Sequence, residues 1–202
     1  MNTRDLRFVK TEELIRSAFL SCACENTIEN IHIKDICAKA RISRNAFYSH
    51  YETKYDLLEA VYQDVERKIL EELTPEIITN LSAGSIYDTT GWCIKTVDEN
   101  REILRILSKC SQTRFREMIS RTFLDGTLTA VYSGISAVEN DTLLQLSRGY
   151  ITDGLSGILT YWLEDSSRIS REELAGMLTD ISKGAVEYFY RKLDENRNVE
   201  RR

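Results

Sequence analysis

One proline, Pro75, and nine glycines in 202 residues leave this chain almost without the residues that punctuate turns. Average usage would be about 5% proline and 7% glycine. A sandwich or barrel of short strands needs a turn signal roughly every 8–12 residues, so turn chemistry argues against an all-β fold. Helices need no such punctuation, and an all-α fold is the expectation. With 42% hydrophobic residues and no low-complexity segment, the chain can bury a real core as one large domain or as a small one plus a medium one.

Apolar spacing places the helices. Leu14, Ile15, Ala18, Phe19 and Cys22 predict an amphipathic helix within residues 7–24. Ile33, Ile36, Cys37 and Ala40 make a stripe on a short second helix, and only "RIS" separates it from a third that opens at Ser43, a good N-cap. A fourth runs from Lys54 to Leu73 with Leu57, Leu58, Val61, Val65 and Ile69 inward. Proline disfavours helix at the residue before it, so Pro75 marks a join between an N-terminal domain, residues 1–73, and a C-terminal one, residues 74–202. Asn80–Gly91 reads as the loosest stretch. Further helices are expected over Ile86–Val97, Arg101–Ser111, Phe115–Ile135, Asp141–Glu164 and Ser170–Leu193, the last with Ser170 and Glu173 as a capping box.

The net charge of −5 is unevenly spread: residues 1–51 carry eight Lys/Arg against six Asp/Glu, whereas the remainder is acidic. Lys34, Lys39, Arg41, Arg44 and Lys54 against Asp35 and Glu52 make residues 34–54 locally basic. Such a patch on an acidic chain suits a restricted polyanion surface, but charge alone favours a solvated helix face. The five cysteines are odd in number and contain no Cys-x-x-Cys pair; they read as reduced, buried small hydrophobes, with no metal site. No signal core precedes the first helix and no run of eighteen apolar residues occurs, so the expected location is the cytoplasm, away from membrane.

Two short helices joined by a three-residue turn fit a helix-turn-helix, whose second helix lays its first turn against base edges in the major groove. At 100° per residue Phe47 and Tyr51 share one face of that helix, and Arg44, Asn45, Tyr48 and Ser49 share another. Arginine can bond guanine O6 and N7 together, and asparagine adenine N6 and N7. Tyr48 can donate to a phosphate, and Lys54 adds charge at the next helix start. His50 lies beside the inward face, where a histidine is more often a packing residue.

The run "IHIKDICAKARISRNAFYSHYETKYDLLEAV" resembles the DNA-binding domain of TetR/AcrR-type transcriptional regulators, closest to the group whose recognition helix ends in "FYxHYxxKxDLL". The resemblance covers about residues 8–68 and implies a motif over residues 32–51, with Arg44, Asn45 and Ser49 toward bases and Tyr48, His50 and Lys54 on phosphates. Two positions depart from the pattern. Arg41 stands where such proteins carry glycine, which asks either for positive φ or for an added phosphate contact, and His32 stands where a Ser or Thr caps the second helix.

Tyr150–Ile181 is similar to the end of the regulatory domain in the same group, which implies a dimer through the last two helices and an inverted-repeat operator of double-stranded DNA. Leu155, Ile158, Leu159, Trp162, Leu178, Ile181 and Val186 are the expected interface, with Gly149, Gly154 and Gly157 as shallow patches for close approach. The aromatic and polar mix of the middle helices suggests a small-molecule effector, with Trp92, Phe115, Met118, Phe123 and Tyr150 as candidate contacts, although aromatics at helical spacing usually only pack. No cofactor is called for. An enzyme is not expected: both histidines, His32 and His50, lie in the DNA-binding segment, and no catalytic motif or phosphate-cradling loop occurs. The expected function is a DNA-binding regulator, a repressor released by its effector, with a co-activator acting through a metabolite-bound partner protein as the alternative.

Overall fold

The computed structural model describes residues 3–71, 86–125, 142–165 and 168–200, and every regular element among them is helical. In chain order these are α1 (Thr3–Ala23), a 3₁₀ turn (Ile28–Asn30), α2 (Ile33–Ala40), α3 (Arg44–Tyr48), α4 (Lys54–Glu71), α5 (Ile86–Glu99), α6 (Arg101–Cys110), α7 (Gln112–Ile119), a π turn (Ser120–Asp125), α8 (Thr142–Glu164) and α9 (Arg171–Glu200). The all-α expectation holds. Three bounds differ. Ile86–Gly91, where the loose stretch and the expected Ile86–Val97 helix overlap, is helical, because the burial of Cys93, Ile94 and Val97 on the same helix outweighs the roughly 1 kcal/mol that a glycine costs there. The helix expected from Phe115 starts at Gln112 and passes into the π turn at Ser120, and α9 continues to Glu200. Pro75 lies outside the described residues.

The chain divides into two compact units, Met1–Lys68 with Glu102–Phe115, and Ile69–Arg101 with Arg116–Arg202. In the first, α1 packs on α2 and α2 on α3. Ile15, Phe19, Ile36, Phe47, Leu57, Tyr62, Leu104 and Leu107 are wholly buried, whereas Leu14 faces solvent instead of joining the α1 stripe. The Tyr62 hydroxyl donates to the carbonyls of Leu107 (2.9 Å) and Ser111 (3.0 Å), which fastens the end of α6 to α4. Arg114 adds its guanidinium 5.1 Å from the Tyr62 ring and an ion pair to Glu59 at 2.6 Å.

In the second unit α9 packs against α5 and α8. Arg101 stacks 4.0 Å over the Trp162 ring, donates to the Trp162 carbonyl (3.2 Å) and holds Asp98 with two N–H groups (3.0 and 2.9 Å). The Trp162 indole donates to Ile169 O at 3.2 Å. The capping box at α9 forms as expected, Ser170 N–H donating to Glu173 Oε2 (3.0 Å) and Glu173 N–H to Ser170 Oγ (3.2 Å). All five cysteines are free; Cys22, Cys37, Cys93 and Cys110 are buried and Cys24 is exposed, against expectation. Burial pushes the Cys110 thiol up to about 11 and that of Cys93 higher still, so neither is a thiolate at neutral pH.

Candidate nucleic-acid interface

The turn between α2 and α3 sets the site. At the end of α2 the Arg41 N–H donates to Ala38 O (3.3 Å) and the Ile42 N–H to Cys37 O (3.0 Å), the paired bonds of a Schellman motif. Such a motif needs a left-handed residue, and Arg41 supplies it at φ 55, ψ 44. Of the two alternatives for this position, positive φ is therefore met. At the start of α2 His32 has extended dihedrals and its side chain makes no capping bond. Ser43 does cap α3, its hydroxyl accepting from Ala46 N–H at 3.1 Å.

The five-residue α3 divides as the helical wheel requires. Phe47 and Tyr51 are buried, and Arg44, Asn45, Tyr48 and Ser49 are exposed. Tyr48 stands edge-on to the Phe47 ring, centroids 5.6 Å apart, which fixes its direction while more than half of it stays in solvent. The Ser49 hydroxyl donates to Ala46 O (2.7 Å), so toward a ligand it is an acceptor. A groove of about 610 Å³ runs beside this face, lined among others by His32 and Lys34, by Arg44 and Tyr48, and by Lys54 and Tyr55 from the start of α4.

The basic side chains here fall into two kinds. Lys54 Nζ donates to the carbonyls of Glu29 (3.0 Å) and Ile31 (2.9 Å), and Lys39 Nζ to Ser21 O (3.2 Å) and Oγ (2.8 Å). Both tie elements of the first unit together. Lys34, Arg41 and Arg44 make no hydrogen bond or ion pair with any described residue, and all three are exposed. The anion-favouring amides at the start of α4 already have their partners: Asp56 Oδ2 accepts from Thr53 N–H (2.8 Å), and the Thr53 hydroxyl oxygen from the Tyr55 and Asp56 N–H groups (3.2 Å each). Sequence reading passed over this Thr53-x-x-Asp56 box, although its spacing is visible.

His50 stacks on Phe8 at 3.8 Å and 25°, with Nδ1 buried and unpartnered. Burial, partly countered by the Glu12 charge, holds its pKa below the ordinary histidine value, so the ring is neutral at pH 7. A neutral imidazole reaches a phosphate only as a hydrogen-bond donor, which weakens the role the resemblance implied. Tyr51 Oη accepts from Arg16 Nε (2.9 Å) and donates to Glu12 Oε1 (3.0 Å), while Arg16 also pairs with Glu12 (2.8 Å) and Asp64. This knot joins α1, α4 and Tyr51, three residues past the end of α3. A wheel finds Tyr51 inward but not where its hydroxyl goes.

The other expected sites fare differently. Leu159, Trp162 and Leu178, expected in a dimer interface, are at most 4% exposed in the chain's own core. Leu155 and Ile158 are half-buried, Ile181 is exposed, and the side chain of Val186 lies outside those described. Of the effector candidates, Phe115 is buried in the first unit, Met118 is buried and Trp92 half-buried in the second, and Tyr150 is exposed; the Phe123 side chain is not among those described. A different set forms the outer face: Leu146, Tyr150, Gly154, Gly157 and Tyr161 recur at helical spacing along α8, and Met177, Ile181, Gly184 and Tyr188 along α9, all exposed. No described helix is long and apolar enough to cross a membrane.

No family model matches the chain. The HTH-type transcriptional regulator YxbF of Bacillus subtilis (strain 168), itself uncharacterized, is 22% identical over 167 residues, 81% of this chain and 42% of that protein, so the chain spans less than half of that relative. The TetR transcriptional regulator from Streptococcus agalactiae 2603V superposes with a TM-score of 0.65 at 20% identity, covering 89% of this chain and 97% of the other. The dihydroxyacetone kinase operon activator DhaS gives 0.53 at 14% identity over the same shares. The resemblance read from the sequence thus holds at the level of fold, and this chain has the TetR-type fold.

Proposed function

We propose, with that fold as premise, that this chain is a DNA-binding transcriptional regulator, not an enzyme, with a DNA-reading domain over residues 1–73 and an effector-binding and dimerisation domain over 74–202. One observation carries the reading: Arg44 and Asn45 stand on the exposed, Ser43-capped first turn of α3 and neither side chain is bonded within the described residues. Side chains so placed suit bidentate contacts to guanine and adenine, with Tyr48 donating to a phosphate alongside.

The regulator acts in the cytoplasm as a homodimer on an inverted repeat, and represses. Its partner surface is the α8/α9 outer face, whose tyrosines and aliphatics sit in water while its glycines leave room for a close helix. A small effector acts within the second unit, where Trp92 and Met118 remain the candidates. The test is binding of the Arg44→Ala, Asn45→Ala double variant to the DNA beside its gene. Loss of specific binding with the dimer mass kept supports direct readout; unchanged specific binding refutes it. The second reading, activation through a metabolite-bound partner protein, is favoured by the likeness to a structure whose name is that of an operon activator. Reporter expression that falls on deletion of the gene selects it over repression.

A further inference from the structure

The helix-turn-helix holds its one described non-glycine residue of positive φ, Arg41, at the turn itself. A Schellman turn asks for a left-handed residue, and glycine takes that conformation without the Cβ–carbonyl crowding that any other side chain meets. Arg41 carries this crowding, yet its guanidinium makes no hydrogen bond, ion pair or ring contact with any described residue, and the residue is exposed. The described residues thus supply no contact that offsets it. The position says what kind would: Arg41 precedes the Ser43 cap of α3 by two residues and follows the last residue of α2 directly. When α3 enters a major groove and the preceding helix crosses the backbone, the turn between them faces the phosphates at the groove edge. Lys54 and Lys39, by contrast, spend their ammonium groups on carbonyl and hydroxyl oxygens of the first unit.

We propose that Arg41 is a phosphate-gripping residue of this regulator, an addition to the base-reading pair Arg44 and Asn45, and that the strained turn is retained for that contact. The proposal rests on the DNA-binding reading. Guanidinium suits the role, since its charge is permanent and its forked N–H groups match phosphate oxygens.

Two neutral variants separate charge from backbone. Arg41→Gln removes the charge and keeps the crowded conformation; Arg41→Gly removes both. The full chain is titrated by fluorescence anisotropy against a fluorescein-labelled mixed-sequence duplex over a range of KCl concentrations, with thermal melting of each variant alongside. Each lost phosphate contact flattens the plot of log affinity against log salt by about 0.9 and lowers affinity about fivefold near physiological salt. Both variants are expected to show this loss equally, while Arg41→Gly alone melts higher than the wild type. Variants at Arg41 that keep the wild-type slope and affinity overturn the proposal and mark Arg41 as solvated surface. A wild-type protein with no salt-dependent affinity for duplex DNA overturns the DNA-binding reading, and the proposal with it.

Discussion

Replacing Tyr51 by phenylalanine deletes one oxygen atom that two charged side chains share. The hydroxyl donates to Glu12 and accepts from Arg16, and hydrogen bonds to charged groups contribute about 1.5–3 kcal/mol each when buried. Here Glu12 and Arg16 side chains remain 32% and 24% exposed, so water takes over part of what is lost. Arg16 also keeps Glu12 and Asp64 as partners, and no charge is stranded. The expected cost is thus about 1–2 kcal/mol, well below the sum of two buried bonds. Denaturant titration should show a lower midpoint at unchanged slope. The pH dependence checks the cause. Burial alone would raise the Glu12 carboxyl, but the hydrogen bonds from Arg16 and Tyr51 and the Arg16 charge outweigh it and leave the pKa below 4.5. A carboxyl depressed on folding stabilises fully above its unfolded value and loses that contribution as pH falls through the folded one. The difference between wild type and Tyr51→Phe should therefore be full at pH 7 and shrink once Glu12 takes its proton. Equal midpoints at pH 7, or a gap that persists unchanged in strong acid, would falsify this account of the knot.

Three other outcomes follow from the same geometry. His32→Ser should supply the missing cap of α2 and raise stability by about 1 kcal/mol, read as a higher melting temperature; no rise would mean that the α2 amides are already satisfied. His50 is held neutral by burial, so the unfolded chain takes up its proton first as pH falls below 6.5, and stability drops from there through the lower folded value; His50→Phe should flatten stability between pH 7 and pH 5, and an unaltered slope would acquit the histidine. Gly157→Leu should keep the helical signal and convert the proposed dimer to a monomer in light scattering, because a Cβ there meets no described residue of its own chain within 4 Å; an unchanged dimer mass would place the interface elsewhere.

The helix-turn-helix was legible because its constraints are local. Helical spacing alone separates Phe47 and Tyr51 from Arg44, Asn45 and Tyr48, and the Ser43 cap is visible one residue before the helix it starts. What escaped was decided across sequence distance. Nothing local distinguishes Lys54, which reaches back 25 residues to Glu29 O, from Lys34, which bonds to no described residue. The Tyr51 hydroxyl finds Glu12 and Arg16 39 and 35 residues away. The sequence-based expectation for His50 failed to separate packing from contact for the same reason, since Phe8, its stacking partner, lies on another helix.

The last helix pair teaches a different point about hydrophobicity. Leu159, Trp162 and Leu178 are among the most apolar positions of α8 and α9, and apolar strength alone nominates them for an interface. A chain buries such residues in its own core first, since that contact forms without the entropic cost of bringing two molecules together. Trp162 is further committed by Arg101 across its ring and by the Ile169 carbonyl at its indole nitrogen. What the core leaves over is a stripe that a hydrophobicity ranking overlooks: glycines with open space above them, alternating with tyrosines that have an apolar body and a polar tip. Such residues tolerate water in one chain and pack closely in two, so the surface for a second copy is better sought among Leu146, Tyr150, Gly154, Gly157 and Tyr161 than among the residues that hydropathy selects.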